Sequence, residues 1–227
     1  MFEVKDVNHH IQKYILLYLM EHKFARFRDM RPPKTDTNLY SYHLKLLQKQ
    51  HFVEKAQQGY TLGVPGQLYV DRINANSAKL SPQPKVITML VIQNDVGGVL
   101  MYPKLRQPFI ERWTVPFGKV HNGDASILEA AKREAREKVA VDDIDLRHAG
   151  DCYIRVRYQD DVTISSLAHI FYGQTDQHSL ANDHLKWIPP HKIDSIETAP
   201  AMKKIIARTF FQDPYFFEEF DETWYDN

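Results

Sequence analysis

Apolar positions near the start of the chain recur at helical spacing: Ile11, Ile15, Leu16 and Leu19 share one face of a helix predicted over residues 7–21. Arg31-Pro32-Pro33 closes a second, short helical piece, because proline lacks the N–H and clashes with the turn before it. Asp36 or Thr37 can cap a third helix running to about Gln50, with Leu39, His43, Leu46 and Leu47 along one face. Phe52-Val53-Glu54-Lys55 and Tyr60-Thr61-Leu62 flank the polar turn Ala56-Gln57-Gln58-Gly59 and predict a short β-hairpin. Pro65 suits the first turn of a closing helix through Ile73.

The pattern then changes character. Residues 74–85 are polar, carry two prolines and no aromatic residue, and read as a linker between two domains. Val86 to Ile92 is a near-continuous apolar run, as expected of a strand covered on both faces. Gln93 to Gly98 is a turn, and Val99 to Tyr102 returns. Ser126-x-x-Glu129 is a capping box, followed by a narrow stripe of Leu128, Ala131, Ala135 and Val139 whose alanines let a helix lie close to a sheet. Asp160 and Asp161 mark a turn between strands predicted at Tyr153–Tyr158 and Val162–Phe171.

Lys+Arg and Asp+Glu each total 29 among 227 residues, which excludes a surface built throughout for polyanions. The neutrality is a cancellation: residues 1–80 hold 12 Lys/Arg against 7 Asp/Glu, and the remainder holds 17 against 22. The single cysteine, Cys152, allows neither an internal disulfide nor a cysteine-based zinc site. No signal-peptide pattern and no run of about 18 apolar residues occurs, so a cytoplasmic protein with no membrane partner is expected.

The order helix, helix, helix, hairpin, helix, with SYHLKLL leading into FVEK and GYTL, resembles the winged-helix family over residues 5–75. The resemblance implies a small helix-turn-helix domain whose third helix enters the DNA major groove while the wing touches the backbone. The outward stripe of that helix is Asn38, Ser41, Lys45 and Lys49, with Lys34 and Lys55 nearby for phosphates. It lacks an arginine for bidentate guanine recognition, and it equally suits a solvated face on a packing or dimerisation module. His43, among apolar neighbours, reads as a buried hydrogen-bonding residue rather than a ligand.

GKVHNGDASILEAAKREAREKVAV, residues 118–141, resembles the Nudix box, G-x5-E-x7-R-E-U-x-E-E-x-G-U with U aliphatic. A W-x-x-P-x-G approach at 113–118, the Leu185–Pro189 segment and a terminal helix near 199–211 extend the resemblance over residues 85–212. It implies an α+β organisation: a Nudix α/β/α sandwich with a mixed sheet over 86–212, after a winged-helix domain (1–75) and a linker (76–85). Gly118, Arg133, Glu134, Ala135 and Glu137 match the box. Asp124 replaces its first glutamate, one extra residue precedes Arg133, Lys138 replaces the last glutamate and Ala140 the late glycine.

By that resemblance the site is metal-assisted, Mg²⁺ or Mn²⁺ being held by Glu134, Glu137 and the carbonyl of Phe117, with water attacking a diphosphate linkage. Arg133 would orient Glu137, and Asp124 would act at the helix entrance. Positions 134 and 138 lie about 40° apart on a helix, beside the apolar stripe. An ammonium at 138 therefore puts positive charge where a hard oxygen ligand should be. Lys138, with Arg106, Arg112 and Lys104 of the preceding loop, is a candidate for substrate phosphate, and Asp183 is a candidate late acid. Glu129–Arg133, Arg133–Glu137 and Glu134–Lys138 are also i,i+4 pairs of the kind that staple a solvated helix.

Residues 213–227 hold six acidic and six aromatic residues and no base. They suit docking through Phe216, Phe217 and Phe220 on the body, on a partner, or on the basic N-terminal domain. Two functions follow. One is a hydrolase for a nucleoside diphosphate derivative or similar small organic diphosphate, weakened by Lys138. The other is a nucleotide-sensing, DNA-binding regulator with an impaired Nudix domain. A homodimer is common to both modules.

Overall fold

Apolar side chains before and after residue 82 build separate cores, and the chain divides into units 1–82 and 83–227. The computed structural model describes residues 7–71, 73–74, 79–80, 83–139, 144–176, 180, 183–211 and 215–223.

In the first unit, α1 (His10–Glu21) buries Ile11, Ile15, Leu16 and Leu19, the predicted stripe. Helix α2 (Thr37–Lys49) starts where Asp36 Oδ1 accepts from the backbone N–H groups of Asn38 and Leu39, at 2.8 and 3.0 Å. Its buried face is Tyr40, His43, Leu44 and Leu47, not the expected Leu39 and Leu46. Leu39 is 46% exposed because the buried row begins one position later, with Tyr40 donating to Phe27 O at 2.8 Å. The hairpin forms as β1 (Val53–Ala56) and β2 (Gly59–Leu62), followed by α3 (Val64–Val70). Strands β3 (Ile73–Asn74) and β4 (Lys79–Leu80) pair with each other.

The helix expected before Pro33 does not form; residues 22–33 run through turns instead. Ala25 bridges to Tyr60 on β2, so this stretch is tied to the hairpin rather than to its own helical ladder. Gly59 allows the approach: its φ is +131°, and a Cβ there would strike Ala25 O. Two helices thus precede the hairpin. His43 is buried as expected, but its Nδ1 has no hydrogen-bond partner, and its ring stacks on His9 at 3.7 Å. Half of the linker expected at 76–85 lies outside the described residues; of the rest, Lys79–Leu80 form β4 and Lys85 begins β5.

The second unit is built on a mixed sheet of eight strands. These are β5 (Lys85–Asn94), β6 (Val99–Pro103), β7 (Trp113–Thr114), β8 (Phe117–Lys119), β9 (Leu146–Tyr158), β10 (Asp161–Thr175), β11 (Lys186–Ile188) and β12 (Phe216–Thr223). Their order is β11-β6-β5-β10-β9-β12, with β7 on β6 and β8 on β5. β10 runs parallel to β5, and β12 runs parallel to β9. Helix α4 (Ile127–Val139) covers one face through Ala131, Ala135 and Val139 against Leu90, Ile92 and Leu100. Helices α5 (Pro190–Ile193) and α6 (Met202–Phe211) cover the other, where Ile193, Met202, Ile205 and Ile206 meet Ile87, Met89 and Val91. Both faces of β5 are covered, which explains its unbroken apolar run. The fold is therefore α+β, an α/β/α sandwich preceded by a small helical domain.

Two expectations are corrected here. Leu128 is exposed at 36%; Ile127, one position earlier, begins the row that continues through Ala131, Ala135 and Val139. Of the docking surfaces open to the acidic segment, it takes the body, as the edge strand β12, and the correction concerns Phe217 alone. Phe216 and Phe220 are buried in the body while Phe217 is 59% exposed. The acids are matched by bases: Glu218 meets Arg208 at 2.9 Å, Glu222 meets Lys204 at 2.8 Å, and Asp221 meets Arg157 at 2.8 Å.

Candidate functional site

Strand β8 and helix α4 meet at Gly118, where an added Cβ would fall inside the Glu134 carboxylate. Only glycine lets a carboxylate sit against the strand backbone at this point. Ser126 Oγ accepts from Glu129 N–H at 3.1 Å, so the capping side chain fixes the first turn. Glu134 is then carried into the sheet and is 4% exposed.

Arg133 organises the loop and helix start. Its Nε and Nη2 donate to the two oxygens of Asp124, at 2.9 and 3.0 Å. Nη1 donates to Glu134 Oε1 at 2.6 Å, and Nη2 also reaches Lys119 O at 3.0 Å. Glu137 Oε2 is farther from Nη1, at 3.6 Å, and its side chain is 58% exposed. Arg133 therefore holds Asp124 and Glu134 more closely than the expected Glu137. Asp124 also accepts from His121 N–H at 2.7 Å. The Arg133 bonds, helped by that backbone bond, hold its carboxyl down at about 2.

Lys138 extends back over the strand. Its ammonium donates to the carbonyl of Phe117 and lies 3.0 Å from Glu134 Oε2. It also sits 5.1 Å from the Phe117 ring centroid. These are two of the three groups assigned by resemblance to a divalent ion. As arranged, they fit a monovalent ammonium and not Mg²⁺ or Mn²⁺, which require several converging oxygens.

A cavity of about 730 Å³ opens beside Lys138. It is lined by the cations Lys85, Lys104, Arg106, Lys119 and Lys138, with Tyr102, Phe109 and Phe117 among its apolar walls and no carboxylate among its described lining residues. Burial, reinforced by the charge of Lys85, lowers the Lys104 pKa. Burial, with Glu134 nearby, raises the Tyr102 hydroxyl to about 12, so it remains a neutral donor at physiological pH. Such a cavity can take an anion with a planar group.

Lys138 and Arg106 are brought together here, and Arg112 is not. Arg112 lines a different cavity, with Thr198 to Lys204 and with Glu222 and Thr223 of β12. Asp183 is exposed, whereas the adjacent His184 lines a cavity of about 230 Å³ with Tyr102, Glu137 and Lys138. Lys85 and Lys119 escaped the sequence because only the antiparallel register of β5 with β8 makes them neighbours. In the first unit, Asn38, Lys45 and Lys49 are exposed and Ser41 is half-buried on α2.

A family model described as the NUDIX domain matches residues 83–209. No curated relative matches the chain. Among solved structures, a MutT protein from Bacillus halodurans is similar at a TM-score of 0.52 and 20% identity, over 61% of this chain and 90% of that one. The NUDIX domain of Shewanella oneidensis NrtR, complexed with ADP ribose, is similar at a TM-score of 0.49 and 16% identity, over 63% of this chain and 96% of that one. The E. coli dihydroneopterin triphosphate pyrophosphohydrolase gives a TM-score of 0.46 and 19% identity, over 56% and 97%. At 20% identity the likeness to the Bacillus halodurans protein is one of fold.

Proposed function

The chain belongs to the NUDIX domain family, and from that premise we propose that residues 83–227 bind a nucleoside diphosphate derivative or similar small organic diphosphate with little or no turnover. One observation carries this: the Lys138 ammonium lies against Phe117 O and 3.0 Å from Glu134 Oε2, on the wall of a basic cavity. A tethered cation there supplies charge to a phosphate without supplying the open coordination positions that activate water. Arg106 and Lys138 contact phosphate in this account, and Arg133, Asp124 and Glu134 hold the frame behind them.

Nudix-type hydrolysis with Mg²⁺ or Mn²⁺ is the alternative supported by family membership and by the exposed carboxylate of Glu137 beside Lys138. A panel of nucleotide sugars, ADP-ribose and dinucleoside polyphosphates separates the two. Saturable binding without Mg²⁺-dependent product release is expected; efficient release would overturn the proposal.

The first unit fits a regulator that works in the cytoplasm. Asn38, Ser41, Lys45 and Lys49 lie opposite the buried row of α2 and would face DNA. Salt-sensitive duplex binding weakened by Lys45→Ala is expected; unchanged affinity would remove α2 from the contact.

A further inference from the structure

Side chains alternate along a strand, so residues three apart normally face opposite ways. His148 and Asp151 of β9 break that rule. The pairing of β9 with β10 shifts between Ile170 and Phe171: Ile170 stands opposite Gly150 and Phe171 opposite His148, leaving Ala149 as an extra residue. This bulge turns His148 to the side of Asp151, and cross-strand pairing sets His169 of β10 opposite Asp151. His148 Nε2 and His169 Nδ1 stand 2.8 and 2.7 Å from the same oxygen, Asp151 Oδ1.

We propose that His148 Nε2, Asp151 Oδ1 and His169 Nδ1 bind a zinc-type divalent ion, with a water as fourth ligand. The three atoms lie within 4.8 Å of one another. Zinc bonds of about 2.0–2.2 Å put tetrahedral ligands roughly 3.3 Å apart, so the ion enters once each N–O approach opens by about half an ångström and the two ring nitrogens, within 4.8 Å of each other, settle at that same spacing. Two imidazoles and one carboxylate suit zinc better than Mg²⁺ or Ca²⁺, which prefer all-oxygen shells.

The surroundings hold these ligands in place. Tyr215 donates to Asp151 Oδ2 at 2.6 Å, leaving Oδ1 as the coordinating oxygen. The His148 ring stacks on Phe171 at 5.0 Å. Burial works against ionisation of Asp151, but the bonds from Tyr215, His148 and His169 outweigh it and keep the carboxyl below its ordinary pKa. The His148 side chain is 39% exposed, so an ion can enter from solvent. Through Tyr215, the ion would also tie down the start of β12.

The test uses the full chain, stripped with EDTA. Zn²⁺ is titrated by calorimetry, and Co²⁺ serves as an absorption probe. One equivalent should bind, with the intense visible bands of tetrahedral Co²⁺. His148→Ala and Asp151→Asn should each abolish those bands, and Tyr215→Phe should weaken Zn²⁺ binding roughly 10–100-fold. Because it replaces a half-exposed ring, His148→Ala decides the matter should Asp151→Asn fail to fold. Lys138→Met should leave Zn²⁺ affinity unchanged, which separates this site from the diphosphate cavity. No saturable binding would overturn the proposal, as would bands that survive His148→Ala. So would loss of binding in His9→Ala, which would move the ion to the stacked His9, His10 and His43 of the first unit.

Discussion

Replacing Lys138 by glutamate converts an ammonium–carboxylate pair into two carboxylates one helical turn apart. Removing one partner of a fully buried pair costs about 3–5 kcal/mol, while a solvent-exposed pair contributes less than about 1 kcal/mol. Here Glu134 has 5% of its side chain exposed and Lys138 has 37%, so the case lies between these limits. A loss of about 2–3 kcal/mol follows, partly relieved because Arg133 still donates to Glu134 Oε1 at 2.6 Å. For a chain of this size, that lowers the melting midpoint by roughly 5–10 °C. All three tryptophans, Trp113, Trp187 and Trp224, lie in residues 83–227, so their fluorescence reports that unit alone. Mg²⁺ at a hundred times its dissociation constant should return about 2.7 kcal/mol to Lys138→Glu. The wild-type midpoint should not respond to Mg²⁺, since the ammonium already engages the oxygens. A wild-type midpoint that rises with Mg²⁺ as steeply as the variant's would show that the Lys138 ammonium does not occupy the metal position.

Gly118→Ala drives a Cβ into the Glu134 carboxylate and should destabilise the unit by about 1–3 kcal/mol in urea titrations while abolishing ligand binding. Arg106→Ala should weaken pyrophosphate binding about tenfold and flatten its salt dependence, whereas Arg112→Ala, in another cavity, should change neither. Asp124 has a folded pKa of about 2 against roughly 3.9 when unfolded, so its contribution is present above pH ~4 and lost as pH falls towards 2. Asp124→Asn should therefore flatten the acid limb of a stability–pH profile over that window; an unaltered limb would show the Arg133 bonds to be unimportant.

Much of the second unit was legible because local rules and tertiary demand agree there. The capping serine and the alanine row of α4 lie where periodicity puts them, and the β9–β10 turn falls one residue early, at Gln159–Asp160, with Asp161 already in β10. What escaped depends on partners distant in sequence. The docking surface of the acidic segment stayed open in the sequence because the bases that neutralise β12 come from β9 and α6. The short helical piece expected to end at Arg31-Pro32-Pro33 does not form because a bridge from Ala25 to Tyr60, distant in sequence, competes with local helix and wins. His148 and Asp151 could not be paired by spacing, since alternation separates them; Gly150, a glycine inside a strand, was the available sign of a bulge. Lys138 was visible as a substitution, but its bond to the Phe117 carbonyl depends on how close Gly118 lets α4 lie.

On the proposed reading, Lys138 stands in for a metal ion at a diphosphate site. Calorimetric titration of inorganic pyrophosphate into the full chain in excess EDTA, for wild type and Lys138→Met, tests it most directly. Saturable binding by the wild type that falls at least tenfold in the variant is the predicted result. Binding that disappears in EDTA and returns with Mg²⁺ would contradict it.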